Sequence, residues 1–141
     1  MAWFSVTVPK GWKRRFTRGC LQLSLPKLAP GDEYTFQLCQ FDKPLDVIAE
    51  QELFFERDDR GQWLRTAGKA PPSPVSALKT KAWSGLIVEQ PCGVHDENGP
   101  HTGDCLTGAV SDGARTVAFD STGTFTDLEA LRRIVKTLAW R

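Results

Sequence analysis

"CLQLSLPKLAPGDEYTFQLCQF", residues 20–41, holds two runs in which apolar and polar residues alternate. Leu21, Leu23 and Leu25 mark the first run; Tyr34, Phe36 and Leu38 mark the second. Alternation with a period of two predicts half-buried strands. The Pro-Gly of "KLAPGDE" between them predicts a loop. Pairing the strands antiparallel with Leu25 opposite Tyr34 sets Leu23 against Phe36, Leu21 against Leu38 and Cys20 against Cys39. Every apolar residue then shares one face, as a correct register requires. Cys20 and Cys39 meet on the other face, close enough for a disulfide. The plainer alternative is two small reduced thiols beneath a helix. A two-residue slip would keep the faces and separate the cysteines.

Working outward, Phe4, Val6 and Val8 alternate with Ser5 and Thr7 and predict a first strand, and "PKGWKRR" predicts a turn with a basic edge. After the pair, "DKPLDVIAEQELFFERDDR" (42–60) opens like a helix, with Asp42 as cap and Pro44 in the first turn. That helix is expected to reach about Glu52. "LFFERDDRGQWLRT" fits a helix continuation or a hairpin turning at Asp58 to Gly61. "GKAPPSPVSALK" (68–79) reads as a proline-rich connection. Three strands follow: "TKAWSGLIVEQPCGV" (80–94), "GDCLTGAVSDG" (103–113) and "ARTVAFDSTG" (114–123), the last two joined by an Asp-Gly turn. At the carboxyl end, Thr126 to Glu129 form a capping box. Leu128, Leu131, Val135 and Leu138 then recur at helical spacing. Strand runs separated from helices predict an α+β fold with a mostly antiparallel sheet.

Composition bounds the function. The chain has 141 residues, 18 basic and 17 acidic side chains, and a net charge of +1. One domain is expected at this length. The near-neutral balance argues against a broad nucleic-acid surface and against a general pull toward anionic membranes. No apolar run is long enough to cross a bilayer. The opening "MAWFSVTVPKGW" does not read as a signal peptide, which favours the cytoplasm. Four cysteines, an even count, keep a periplasmic location as the alternative.

"CGVHDENGPHTGDC" (92–105) contains both histidines and half of the cysteines. Cys92, His95, His101 and Cys105 could wrap a zinc ion, but a spacer of five between the histidines is short for two knuckles. A second reading is a hairpin turning at Asn98-Gly99 and clasped at its base by Cys92 and Cys105. In a reducing compartment the thiols would stay free. A Cys–His nucleophile pair is conceivable here, yet no third group is seen to orient it. With no G-x-S-x-G, H-E-x-x-H or Walker loop in the chain, a non-catalytic role without a cofactor is expected.

"FSVTVPKGW" (4–12), "WSGLIVEQ" (83–90), "CLTGAVSDGARTVAFDSTG" (105–123) and the closing "LRRIVKTLAW" (131–140) resemble the PsbP-like superfamily. The resemblance spans nearly the whole chain in order of elements. It implies a single PsbP-like domain over 1–141, a sandwich with a mostly antiparallel sheet of about six strands flanked by helices. It also implies a non-catalytic role, because the superfamily includes accessory subunits of photosystems and bacterial proteins of type VI secretion. The cysteines and the 92–105 stretch are not part of the shared pattern.

For binding, the sequence offers five tryptophans and an acidic stretch. Trp12 and Trp63 fall in turn or edge segments, and tryptophan is enriched at binding hot spots. Asp46, Glu50, Glu52, Glu56, Asp58 and Asp59 could imitate phosphate charge toward a basic cleft; the bland reading is a solvated face. With His95, Asp96, Glu97 and His101 at the hairpin, they make up the expected partner surface. The expected partner is a protein, a cognate toxin or secreted effector that the domain neutralises or escorts, with no nucleic acid and no membrane insertion. Monomer and homodimer are both open, since no sheet edge is obviously protected.

Overall fold

A computed structural model describes residues 1–25, 34–66, 71–97, 99–123 and 128–141, and excludes the side chains of 93–96 and 100–102. The elements in order are β1 (Phe4–Ser5), β2 (Lys13–Thr17), β3 (Cys20–Ser24), β4 (Thr35–Phe41) and α1 (Leu45–Gln51). Then come β5 (Glu56–Arg57), β6 (Trp63–Arg65), β7 (Ser73–Pro74), β8 (Ser76–Lys79) and β9 (Ser84–Asp96). The chain continues through β10 (Gly99–Ser111), β11 (Thr116–Thr122), α2 (Glu129–Lys136) and β12 (Ala139–Trp140).

Seven strands form one antiparallel sheet in the order β2-β3-β4-β11-β10-β9-β8. The β3–β4 register is the one the leucine and phenylalanine alternation dictates: Cys20 pairs Cys39, Leu21 pairs Leu38 and Leu23 pairs Phe36. Leu23, Phe36 and Leu38 are fully buried, as a period-two core face demands.

Each face of this sheet has its own apolar cluster. Leu21, Leu23, Phe36, Leu38, Leu106, Val110, Val117 and Phe119 meet Leu131, Ile134, Val135 and Leu138 of the α2 segment. Trp83 joins them, and its indole Nε1 donates to Leu138 O at 3.2 Å. The opposite cluster gathers Ile48 and Ala49 of α1 with Leu53, Phe55, Val75, Leu86, Val88, Ala109 and Ala118. Alternation along β9, β10 and β11 feeds both clusters, so these strands read as nearly continuous apolar runs.

The expected PsbP-like α+β sandwich is not what forms. The fold is mostly β, 50% strand and 13% helix, built on a seven-stranded antiparallel sheet. The helices, seven and eight residues long, are too short to act as flanking layers. Local chemistry explains why. Pro44 stands at the N-cap of α1 with ψ 164°, so helical turns begin at Leu45 and Asp42 does not cap them. Past Gln51, Ile48 O accepts from both Glu52 N and Leu53 N, and Phe54 enters left-handed backbone at φ 56°. The chain then takes the hairpin option. Asp58 Oδ1 accepts from Arg60 N and Gln62 N, Gly61 has φ 80°, and β5, β6 and β7 form a small second sheet.

Three further expectations change. "KRRFT" is strand β2 rather than turn, and β1 is only two residues, paired with β12 at the end of the chain. The proline-rich 68–79 segment supplies β7 and β8. The 92–105 stretch is mostly strand, with β9 and β10 each thirteen residues long. The loop expected at 27–33 and Thr126 of the capping box lie outside the described residues; α2 begins after Leu128.

Candidate functional site

Helix α1 covers the middle of one sheet face, and the expected acidic residues surround it. Asp46, Glu50, Glu52, Glu56, Asp58 and Asp59 are all exposed. Among them stands Phe54, 75% exposed. Its conformation is held on both sides: Leu53 and Phe55 are buried, and Phe55 N donates to Ala49 O at 2.8 Å. The two buried neighbours leave Phe54 no inward path. An aromatic residue in this backbone region is unusual, because the left-handed conformation crowds its β-carbon.

Two cavities open beside α1. One, about 330 Å³, is lined by Gln37, Cys39, Phe41, Glu52, Leu53 and Asp120, among others. The other, about 390 Å³, includes Asp46, Arg57 and Trp63. Trp63 is half-buried against the α1-side cluster, with the Arg57 guanidinium 4.2 Å from its ring centroid. Its face is therefore already engaged by a cation. Trp12 packs against the other cluster, on the α2 side. The structure thus brings Trp63 to the acidic surface and leaves Trp12 away from it.

A polar network on the same face was not foreseen. Arg65 Nη1 donates to Thr107 Oγ1 at 2.6 Å, and Thr107 Oγ1 donates to Asp120 Oδ1 at 2.8 Å. Gln90 Nε2 donates to Arg65 O at 3.2 Å. Thr107 and Gln90 are buried, so these bonds replace lost water contacts. The signal was present. Gln90, Thr107 and Asp120 are polar at the positions that alternate in phase with Val88, Ala109 and Ala118, where a strand covered on both faces should be apolar.

The 92–105 stretch forms the far end of the β9–β10 hairpin. Asp96 pairs Gly99 at the end of the ladder, Gly99 has φ 103°, and Asn98 of the expected Asn98-Gly99 turn lies outside the described residues. Glu97 is exposed. His95 pairs Pro100 and His101 pairs Val94 in the backbone ladder. The side chains of His95, Asp96 and His101 lie outside the described residues. Cys92 and Cys105 are not opposite each other. Cys92 pairs Gly103 and Cys105 pairs Gln90, and the disulfide joins them diagonally with their Cα atoms 5.8 Å apart. Their sulfurs lie 3.8 and 3.5 Å from Gly123 O, a contact without a hydrogen bond because a disulfide sulfur carries no proton. Joined in this way they offer no thiolate to zinc and no nucleophile to a histidine.

A second disulfide joins Cys20 to Cys39. Cys39 pairs Ala118 of the α1-side cluster. By strand alternation Cys92 lies in phase with Val88, and Cys105 with Ala109. Both bonds therefore lie on the α1 face, one on each side of the central strands.

No family model matches the chain, and no curated protein matches it. Its fold is similar to a crystal structure of a protein from Bacteroides thetaiotaomicron VPI-5482, at 14% identity and a TM-score of 0.57. The match covers 99% of this chain and 45% of that one, so the chain spans less than half the length of that protein. The likeness concerns the fold alone.

Proposed function

We propose that this chain is a non-catalytic protein-binding domain that docks a partner on its α1 face. The observation that carries the reading is Phe54, an aromatic side chain exposed on left-handed backbone in a segment that also exposes Glu50, Glu52 and Glu56. A large apolar side chain in water gains by being covered, and aromatic residues dominate binding hot spots. The surrounding carboxylates favour a basic surface and speed its approach. A domain of this kind suits an immunity or effector-accessory role, with the acidic surface closing the basic cleft of a toxin or effector.

The test is affinity capture from the source organism with wild-type protein, Phe54→Ser and Glu50→Lys with Glu52→Lys, followed by kinetics on the captured protein. The reading expects one basic partner, bound by wild type and lost with Phe54→Ser. The charge variant should lower mainly the association rate. Equal capture by all three would remove the α1 face from consideration.

The two disulfides favour a second reading, an accessory domain working in an oxidising compartment, where such bonds form and persist. Thiol titration of unfolded, unreduced protein taken from its native compartment separates it from a cytoplasmic role. Bonded cysteines support the oxidising compartment, and four free thiols oppose it.

A further inference from the structure

The edge strand β2 carries a charge pattern that the α1 face does not explain. Arg57, Arg65, Arg115, Arg132 and Arg133 each have a partner: the Trp63 ring, Thr107, Asp112, Glu89 with Glu129, and Glu129. Among the described residues, the side chains of Arg14, Arg15, Arg18, Arg60 and Arg141 have none. Lys10 and Lys13 stand beside them in sequence, also unpaired. The unpaired arginines are thus gathered at one edge, with Arg60 the exception.

Among the described residues β2 pairs only with β3, so its other backbone edge has no strand partner there. Arg14 and Phe16 pair Leu23 and Leu21 and point to the α2-side cluster; Lys13, Arg15 and Thr17 alternate to the other face. At this edge Arg14, Arg15 and Arg141 line a cavity of about 250 Å³ whose remaining walls are Ala2, Phe4, Phe16 and Leu21.

Charged residues on an edge strand often serve only to repel other edges. Such charges need to stand out into water. Here Arg14, Arg15 and Arg141 line one cavity whose other walls are largely apolar, and an apolar wall strengthens an arginine's pull on an anion. The guanidinium fork matches a carboxylate, and the open edge matches an extended backbone. We propose that β2 is a second binding site, taking an extended acidic peptide segment of a partner by strand addition. One carboxylate of the peptide would seat between Arg14 and Arg141, with Arg15 adding charge from the other face. Alternate peptide side chains would fall on the Arg14–Phe16 row, and the backbone would supply the bonds that the edge lacks.

Fluorescence anisotropy tests this on the intact disulfide-bonded protein, with a labelled peptide of alternating glutamate and valine as the probe. Arg14→Glu with Arg15→Glu should weaken binding at least about tenfold, the scale of losing a carboxylate–guanidinium pair. Both side chains are exposed, and unchanged thermal unfolding of the variant shows that its fold is kept. The same peptide N-methylated at every second residue keeps its charge and cannot complete the ladder, so it should also bind at least about tenfold more weakly. Arg60→Glu, away from the edge, should leave binding unchanged. The proposal is overturned if the N-methylated peptide binds equally, or if polyphosphate displaces the probe as well as unlabelled peptide does. It also fails if Arg60→Glu weakens binding as much as the edge variant. Self-association abolished by the edge variant would assign β2 to a second copy of this chain and overturn the peptide.

Discussion

Gly108 lies directly beneath Phe119: a β-carbon on Gly108 would sit 2.6 Å from Phe119 Cζ and 2.2 Å from Leu86 O. The two residues are cross-strand partners. Phe119 is itself held by Phe36, with ring centroids 5.8 Å apart, so the ring has no room to withdraw. Gly108→Ala must therefore move backbone as well as a side chain. It should cost about 3 kcal/mol, the upper range for overpacking a core. Gly61 offers the contrast. No atom lies within 4 Å of a β-carbon there, and only its φ of 80° penalises a side chain. Gly61→Ala should cost about 1 kcal/mol. Urea unfolding of both variants measures the difference; equal losses would defeat the packing account of Gly108.

Phe54 should show the opposite trade. With φ 56° and 75% exposure it strains the backbone and packs little. Phe54→Gly should leave stability unchanged or raise it by up to about 1 kcal/mol, since glycine adopts this conformation without a clash. If Phe54 is kept for binding, the same variant should lose the captured partner. A loss of stability larger than about 1 kcal/mol would show instead that the side chain packs in solution.

These contrasts mark what was legible in the sequence. The β3–β4 register was, because Leu21, Leu23, Phe36 and Leu38 leave one solution that buries them all. The helical content was overestimated where local propensity met a conflicting neighbour. "LDVIAEQ" has helical composition, but Pro44 delays its start and Phe54 ends it. Strand β2 was hidden because "KRRFT" is exposed at four of its five residues and shows no apolar period. The diagonal clasp of Cys92 and Cys105 was out of reach of spacing alone. It depends on the β9–β10 register, which sets Cys92 opposite Gly103. The acidic residues of the candidate site could be read directly, whereas Phe54 could not. Its exposure arises from the positions of Leu53 and Phe55, which depend on the fold.

The two disulfides should separate in their effects. Cys20–Cys39 spans 19 residues and Cys92–Cys105 spans 13, so the loop-closure model gives about 3 kcal/mol for each. The first joins strands inside the seven-stranded sheet, and replacing both its cysteines with serine should lower global stability by that scale. The second lies beyond the paired length of β11, which meets β10 only from Thr107 to Ser111. Removing it should chiefly loosen the hairpin, raising amide exchange at residues 91–104 and lowering the global midpoint less. Hydrogen exchange read residue by residue checks this; uniform acceleration across the sheet would contradict the local assignment.

Asp112 should resist acid: its carboxyl keeps its charge to lower pH than an unperturbed aspartate does. It ends β10 at a turn in which Gly113 has φ 109°. Its Oδ1 accepts from Ala114 N at 3.0 Å and Arg115 N at 2.8 Å, and its Oδ2 accepts from Arg115 Nε at 3.0 Å. Partial desolvation pushes its carboxyl up. The Arg115 and Ala114 amides and the Arg115 guanidinium outweigh that, and hold it below its ordinary value. The folded value is thus lower than the unfolded one of about 3.9, so the native state favours the ionised form. This stabilisation is fully present above the unfolded value and is lost as pH falls through the folded one. Asp112→Asn keeps the acceptor for the turn amides and removes the charge. Wild type should exceed it by about 1 kcal/mol near neutrality, and the gap should close below pH of about 4. Urea unfolding across that range measures the gap, and a gap independent of pH would mean that the turn amides act on a neutral acceptor as well as on the carboxylate.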